Sequence, residues 1–207
     1  MVSSKQAITI RPALASDVDV AVELILAAAE SLLVGIFGGG DKQITRDFLT
    51  NAWKIKHSQF GYGQHIVICV DGEAAGICTH WQKDMPEVFA KDTAKSIVDF
   101  YTLEQAQDVI ARSKAATYAI LIPKETSLII GHVAVLANFR RLGLAGKLVS
   151  FVENIALQKS KTILALDVEQ DNRIAIAFYR SIGFVEDKEG PDRSPFMHMT
   201  KPLTRKF

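Results

Sequence analysis

Cysteine is scarce in this 207-residue chain, which holds only Cys69 and Cys78. Two thiols cannot build the multi-bridge framework of a small secreted protein, and their spacing matches no metal-ligand pattern. Both stand in apolar surroundings on either side of an Asp-Gly pair, where free cysteine behaves as a small buried hydrophobe. A surplus of charge is missing as well. Lys and Arg number 24, Asp and Glu number 23, and the formal net charge is +1. That balance speaks against a dedicated nucleic-acid or membrane-surface binder. Long apolar runs are lacking too: the longest uncharged stretch, residues 126–139, falls short of the ~18 residues of a membrane span and contains His132. Met1-Val2-Ser3-Ser4-Lys5 has no apolar core of the signal-peptide kind. The expectation is a cytoplasmic protein without metal, membrane or nucleic-acid partner, folded as one domain over residues 6–205.

What is present alternates between two periods. Ala7 to Arg11 alternate as a strand does, and Pro12 then blocks further pairing. Ser16, with Asp19 three residues on, resembles a helix-capping box. Behind it Val18, Val22, Ile25, Leu26, Ala29 and Leu33 recur at helical spacing. The glycine-rich residues 35–40 follow no strand and open no Lys-Ser/Thr helix, so they read as a flexible loop rather than a phosphate cradle. A second helix is expected over residues 44–57. Next comes a hairpin: apolar residues 65–70, Asp71-Gly72 suited to a type I′ turn, and a return over 74–81. Residues 82–117 are polar and helix-prone with a break near Tyr101-Thr102, the pattern of an inserted helical pair. Apolar runs at 118–122 and 128–136 come next, the second dense enough for a central strand buried on both faces. A helix to about residue 159, a strand at 162–169, a helix at 172–182, a short strand at 183–185 and a last strand at 196–201 lead to a basic tail.

Chemistry enters after Leu136. A buried strand that runs through Ala137-Asn138-Phe139-Arg140-Arg141-Leu142-Gly143-Leu144-Ala145-Gly146 into a helix aims several backbone N–H groups at one point. The partial positive charge of a helix start favours an anion there by roughly 0.3–1 kcal/mol per contact. Gly143 and Gly146 carry no Cβ to keep an anion off the backbone. Arg140, Arg141 and Lys147 add cations. These features suit a phosphate or diphosphate, although a merely tight connection fits them too. The Walker pattern fails, since Leu148 follows Lys147, and so does the dinucleotide fingerprint, whose glycine offsets are missing.

Arg140-x-x-Gly143-x-Ala145 resembles the Gln/Arg-x-x-Gly-x-Gly/Ala signature of GNAT acetyltransferases. Leu166-Asp167-Val168, then Asn172, Ala175, Tyr179 and Gly183-Phe184, are similar to that family's second signature. Ile10-Arg11-Pro12-Ala13, with Asp17 beyond, is similar to its usual opening. The likeness covers the N-terminal unit and nearly all of the last third, and is weak over residues 33–117. It implies an α/β (α+β) fold of the GNAT acyl-CoA N-acyltransferase type. Such a fold has a mixed central sheet splayed at the coenzyme strand and flanked by helices, here with a helical insertion near 82–117. Acetyl-CoA is then the co-substrate and a primary amine the acceptor.

The resemblance also implies roles. Backbone groups of Val133, Ala134 and Val135 would hold the pantetheine arm. The N–H groups of Arg141, Leu142, Gly143, Leu144, Ala145 and Gly146 would take the diphosphate, with Arg140 at the signature's first position and Asn172 near the pantetheine end. Arg141 stands where many members have Gly. Tyr179 matches the tyrosine that protonates the departing thiolate, or packs its ring as Phe178 beside it does. Asp167 aligns with a Glu that accepts a proton in ribosomal-protein N-terminal acetyltransferases, but it is one methylene shorter and equally suits a structural role at a strand end. His132 reads as a satisfied core histidine, and Glu169, Glu125 and His80 are lesser base candidates. Trp53, Tyr62 and Trp81 are expected either near the acceptor or in the core. No nucleophile motif points to an acyl-enzyme. The alternative is a non-catalytic acyl-CoA sensor of the same fold, and a homodimer is an expectation from analogy alone.

Overall fold

The computed structural model describes residues 6–188 and 194–204. The N-terminal five residues and the end of the basic tail, on which two of the readings above fall, lie outside them. Strands form where side chains alternate or run apolar: Ile8–Pro12 (β1), His65–Val70 (β2), Glu73–Trp81 (β3), Ser127–Val135 (β4), Ile163–Glu169 (β5), Val185–Glu186 (β6) and Phe196–Pro202 (β7). They join in one mixed sheet of order β1-β2-β3-β4-β5-β7-β6. Only the β4–β5 pairing is parallel. The hairpin turn is as the dipeptide demands. Asp71 (φ 51°) and Gly72 (φ 87°) are both left-handed, which matches the twist of the flanking strands. Asp71 Oδ1 also accepts a 2.8 Å hydrogen bond from the Ala7 N–H, tying the turn to β1.

Helices cover both faces, and the strand period decides what each one meets. Val67, Cys69 and Ile77 face Val18–Leu33 (α1), Lys42–Trp53 (α2) and Leu103–Thr117 (α4) in one core. Ile66, Ile68, Val70, Cys78, Leu128 and Leu164 point the other way, onto Leu144–Gln158 (α5) and Arg173–Ser181 (α6). Every residue of β2 is therefore buried, as its continuous apolar run requires. Each fully buried Leu, Ile or Phe contributes roughly 1.5–3 kcal/mol. The inserted pair is α4 with Glu87–Val98 (α3), broken where expected: Thr102 caps α4 by accepting from the Gln105 N–H.

Four expectations need correction. Asp17, not Ser16, organises the start of α1: its Oδ2 accepts from the Leu14 N–H at 2.7 Å and its carboxylate grips Arg11. Glycines 35–40 are not a plain loop. Val34–Gly38 continues α1 as a π turn, closed by left-handed Gly39, and Tyr101 and Arg112 from the inserted helices bond the Phe37 and Ile36 carbonyls. The second helix stops at Trp53, short of residue 57. The apolar run at 118–122 forms no strand and belongs to an irregular cover, residues 118–126. Ala15–Gly38 is the one helix among the described residues long and apolar enough to cross a membrane; its Ala21, Val22, Leu24, Ile25, Leu26 and Leu33 are buried in the core.

Candidate active site

The site begins with a defect in β4. Gly131 pairs with Thr79 and Ala134 with Ile77, so His132 and Val133 together oppose the single residue Cys78. His132 supplies the extra residue in the left-handed region, φ 50°. That conformation costs about 1–2 kcal/mol for a residue with a Cβ, and such a bulge bends the strand that carries it. β4 accordingly leaves its parallel neighbour. It pairs with β5 only from Ser127 to Ile129, against Ile163 to Ala165. Beyond that point a cavity of about 310 Å³ separates the strands, walled by Gly131, His132 and Val133 on one side and by Leu166, Asp167 and Glu169 on the other. Asn172 and Tyr179 of α6 close it on one face of the sheet. The other face is apolar: Ala28, Leu32 and Ile36 with Phe60 and Trp81. α1 departs from helical dihedrals at Ala29 beside this wall (φ −153°, ψ 42°). Gly131 lets the Trp81 ring close in, since a Cβ there would lie 2.6 Å from it.

At the far end of β4 the chain turns into α5. Gly143 (φ 72°) is the N-cap and offers no side-chain cap. The first-turn amides of Leu144, Ala145 and Gly146 are therefore left for an outside acceptor. A Cβ on Gly143 or Gly146 would meet nothing within 4 Å, so the glycines preserve open space over the helix start rather than relieve internal crowding. Arg140, Arg141 and Lys147 ring it as exposed cations. The Arg140 Nε–H bonds back to the Val135 carbonyl at 3.2 Å, and Arg141 is itself left-handed, φ 64°. Buried Leu144 anchors the helix start, while Leu142 is 41% exposed. A diphosphate fits this cradle of free amides, positive helix end and peripheral cations.

The polar groups lining the cavity divide into engaged and free. Asn172 caps α6 by accepting from the Ala175 N–H at 3.1 Å, which leaves its amide NH₂ for other partners. Asp167 is engaged at both oxygens: Oδ1 by His198 Nδ1, directly opposite on β7, and Oδ2 by the Leu121 N–H at 2.9 Å. Burial pushes its carboxyl above the usual range, with His198 and the Leu121 amide opposing. Glu169 accepts from Ser31 Oγ at 2.8 Å. Tyr179 packs its ring against Phe178 and Phe184, and among the described residues its hydroxyl has no hydrogen-bond partner. Burial raises its pKa, so the phenol keeps its proton.

His132 packs as a core histidine with a partner at one nitrogen. Its Nδ1 lies 3.4 Å from His65 Nε2, the two rings are nearly parallel with centroids 5.6 Å apart, and Phe60 packs on His132 at 5.7 Å. His65 Nδ1 reaches the Gly61 carbonyl at 3.0 Å. Burial lowers His132 to about 3 and His65 to about 4, so both are neutral at ordinary pH. The remaining base candidates lie elsewhere. Glu125 forms an exposed ion pair with Lys83, and His80, lowered to about 4 chiefly by burial, does not border the cavity. Among the described residues no group of three His, Cys, Asp or Glu side chains is placed to hold a metal ion. Trp81 borders the cavity, whereas Trp53 and Tyr62 belong to the core around α1 and α2.

Sequence reading missed His65, Phe60 and His198. Phe60 and His65 come together only through tertiary packing, and His198 is fixed by strand register alone.

The family model described as "Acetyltransferase (GNAT) family" matches residues 39–184. The N-terminal acetyltransferase B complex catalytic subunit naa20 of Schizosaccharomyces pombe is 32% identical over 91 residues, covering 40% of this chain and 50% of that protein. The chain thus spans about half the length of that curated relative. An N-acetyltransferase from Staphylococcus aureus Mu50 superimposes with TM-score 0.65 at 16% identity, over 94% of this chain and all of that one. The PaiA N-acetyltransferase of Thermoplasma acidophilum, in complex with coenzyme A, gives 0.52 at 11% identity over 95% and 99% of the two chains. Both structural likenesses concern the fold.

Proposed function

Since the chain belongs to the GNAT acetyltransferase family, we propose that it transfers an acetyl group from acetyl-CoA to a primary amine by direct attack within a ternary complex. One observation carries this reading: β4 leads through a short connection into an uncapped helix start and also borders the gap lined by Tyr179, whose hydroxyl has no partner among the described residues. The backbone amides from Arg141 to Gly146, the last three in the first turn of α5, would hold the diphosphate. The β4 edge at Val133, Ala134 and Val135, which has no strand partner toward β5, would hold the pantetheine amides, and the Asn172 NH₂ would lie close by. Acetyl-CoA supplies an acyl carbon bound to a sulfur leaving group.

Tyr179 then protonates the departing sulfur. Its burial suits that task, because a phenol with a raised pKa retains its proton until an anion forms beside it. Asp167 is better placed to position than to accept, since both of its oxygens already hold the 118–126 cover and β7 in place. The acceptor enters from the α1 side. Its amine therefore stands next to an apolar group that fits against Ala28, Leu32, Ile36, Phe60 and Trp81. The protein works in the cytoplasm, a reading supported by the free thiols of Cys69 and Cys78.

A thiol-release assay over a broad amine panel tests this. Coenzyme A thiol should appear only when acetyl-CoA and an amine are both present. Tight acetyl-CoA binding by calorimetry with no acetylated product from any amine would reassign the protein as a non-catalytic acyl-CoA sensor.

A further inference from the structure

Given the acetyl-transfer reading above, on which this inference rests, the geometry points to His132 as the proton acceptor for the attacking amine, with His65 as its positioning residue. The tautomers follow from the acceptor at the end of the chain. The Gly61 carbonyl can only accept, so the His65 Nδ1 at 3.0 Å carries a proton and, in a neutral ring, Nε2 carries the lone pair. The 3.4 Å approach of His132 Nδ1 to that nitrogen then requires the proton on His132 Nδ1. The lone pair of His132 is thereby fixed on Nε2, at the ring edge away from His65. That nitrogen has no partner among the described residues. Unlike His198 Nε2 it is not among the fully buried partnerless atoms, and His132 lines the cavity shared with Tyr179.

Two further observations support the assignment. Of the two carboxylates that border the same cavity, Asp167 is engaged at both oxygens by His198 and Leu121, and Glu169 lies at the exposed rim with Oε1 accepting from Ser31. The backbone at His132 is left-handed, where glycine or asparagine fits with less strain. The bulge turns the His132 ring onto His65 and Phe60 instead of leaving it in the regular alternation of the strand.

The step balances. The amine nitrogen forms a bond to the acyl carbon, the carbon–sulfur bond breaks, and its electron pair leaves on sulfur, which takes the Tyr179 proton. The nitrogen of the adduct loses its proton to His132 Nε2. An N–H⁺ in that adduct is far more acidic than a free ammonium, which narrows the gap to an imidazole that burial makes weakly basic. Passing the Nδ1 proton across the contact to His65 Nε2 would put the charge on the ring whose Nδ1 donates to the Gly61 carbonyl. Solvent then carries the proton back to the Tyr179 phenolate.

His132→Gly tests the assignment without adding backbone strain, because glycine adopts φ 50° freely. Its turnover should fall by ~10²-fold or more, while acetyl-CoA affinity stays within about twofold, well inside what the loss of one charged contact would change. Free imidazole in the buffer should restore part of the rate in the variant and none in the parent. A His132→Gly protein at full speed, or a slow one that imidazole and other small bases fail to rescue, would overturn the assignment. If the glycine variant does not fold, His132→Asn replaces it: asparagine tolerates the left-handed backbone but cannot take a proton. That variant must be slow, and parental turnover would refute the role equally. Failure of the acetyl-transfer reading itself is separate, since it would show as no thiol release by the parent.

Discussion

Replacing Gly143 by alanine separates what the loop does for the fold from what it does for a ligand. Gly143 adopts φ 72°, and a methyl placed there meets no atom within 4 Å. The only internal penalty is the left-handed backbone, about 1–2 kcal/mol. For a chain of this length that lowers Tm by about 2–8 °C. Gly72 in the β2–β3 turn is a matched control, with φ 87° and the same open surroundings, and its alanine variant should lose a similar amount. The ligand distinguishes the two positions. A methyl at Gly143 occupies the space over the first-turn amides and lifts a diphosphate oxygen off at least one of them. Losing one hydrogen bond to a charged group costs about 1.5–3 kcal/mol, equivalent to a roughly 10–150-fold weaker Kd. Thermal denaturation without ligand, followed by calorimetric titration with acetyl-CoA, reads both quantities. The expected pattern is an equal fall in Tm for the two variants and weakened binding only for Gly143→Ala. Equal acetyl-CoA affinity in the two variants would refute the placement of the diphosphate.

Tyr179→Phe should cut kcat by roughly tenfold or more yet leave the unliganded Tm unchanged or slightly higher, because the hydroxyl it removes has no partner among the described residues; a variant at parental kcat in steady-state thiol release would retire Tyr179 as the acid. Asp17→Asn removes a carboxylate that accepts from Arg11 Nη1 and Nη2 and from the Leu14 N–H, which should cost about 2–3 kcal/mol at pH 7. Arg11 holds that carboxyl below its usual range. Its stabilisation is therefore complete above the ordinary carboxylate pKa and is lost as pH falls through the lower folded value, so the gap between parent and variant should shrink below about pH 4. Urea titrations at pH 7 and pH 3 measure it, and a gap that is constant or larger at pH 3 contradicts the ion-pair account.

Much of the architecture was legible because it rests on local chemistry. The Asp71-Gly72 turn, the alternation in β1 and the break before Thr102 each follow from the dihedral or capping preferences of a few neighbours. The open helix start at Gly143 was legible for the same reason: strand, small residues and helix are contiguous in the chain. The gap between β4 and β5 was expected only through family resemblance. Gly131-His132-Val133 does not by itself mark a bulge, since a histidine that can enter the left-handed region is equally at home in a strand, and the register that creates the bulge is set by Cys78 on another strand. Asp167 was found at its place on β5, but its engagement by His198 and Leu121 joins residues 31 and 46 positions apart in sequence. The glycines after α1 misled because their conformation is imposed by Tyr101 and Arg112 from the insertion.

A sheet fastened at its middle by only three residue pairs, Ser127 to Ile129 against Ile163 to Ala165, has a weak seam. Across it the two halves are joined mainly by side chains of one core, where Leu128 and Ile130 meet Leu164, Leu166 and Met199. A guest lodged in that seam acts as a removable rung between the halves. With the coenzyme as guest, at a hundred times its Kd, mass action adds about 2.7 kcal/mol to the folded state. If the coenzyme lodges there, a protein deprived of acetyl-CoA should be looser as well as idle, and easier for a protease to open.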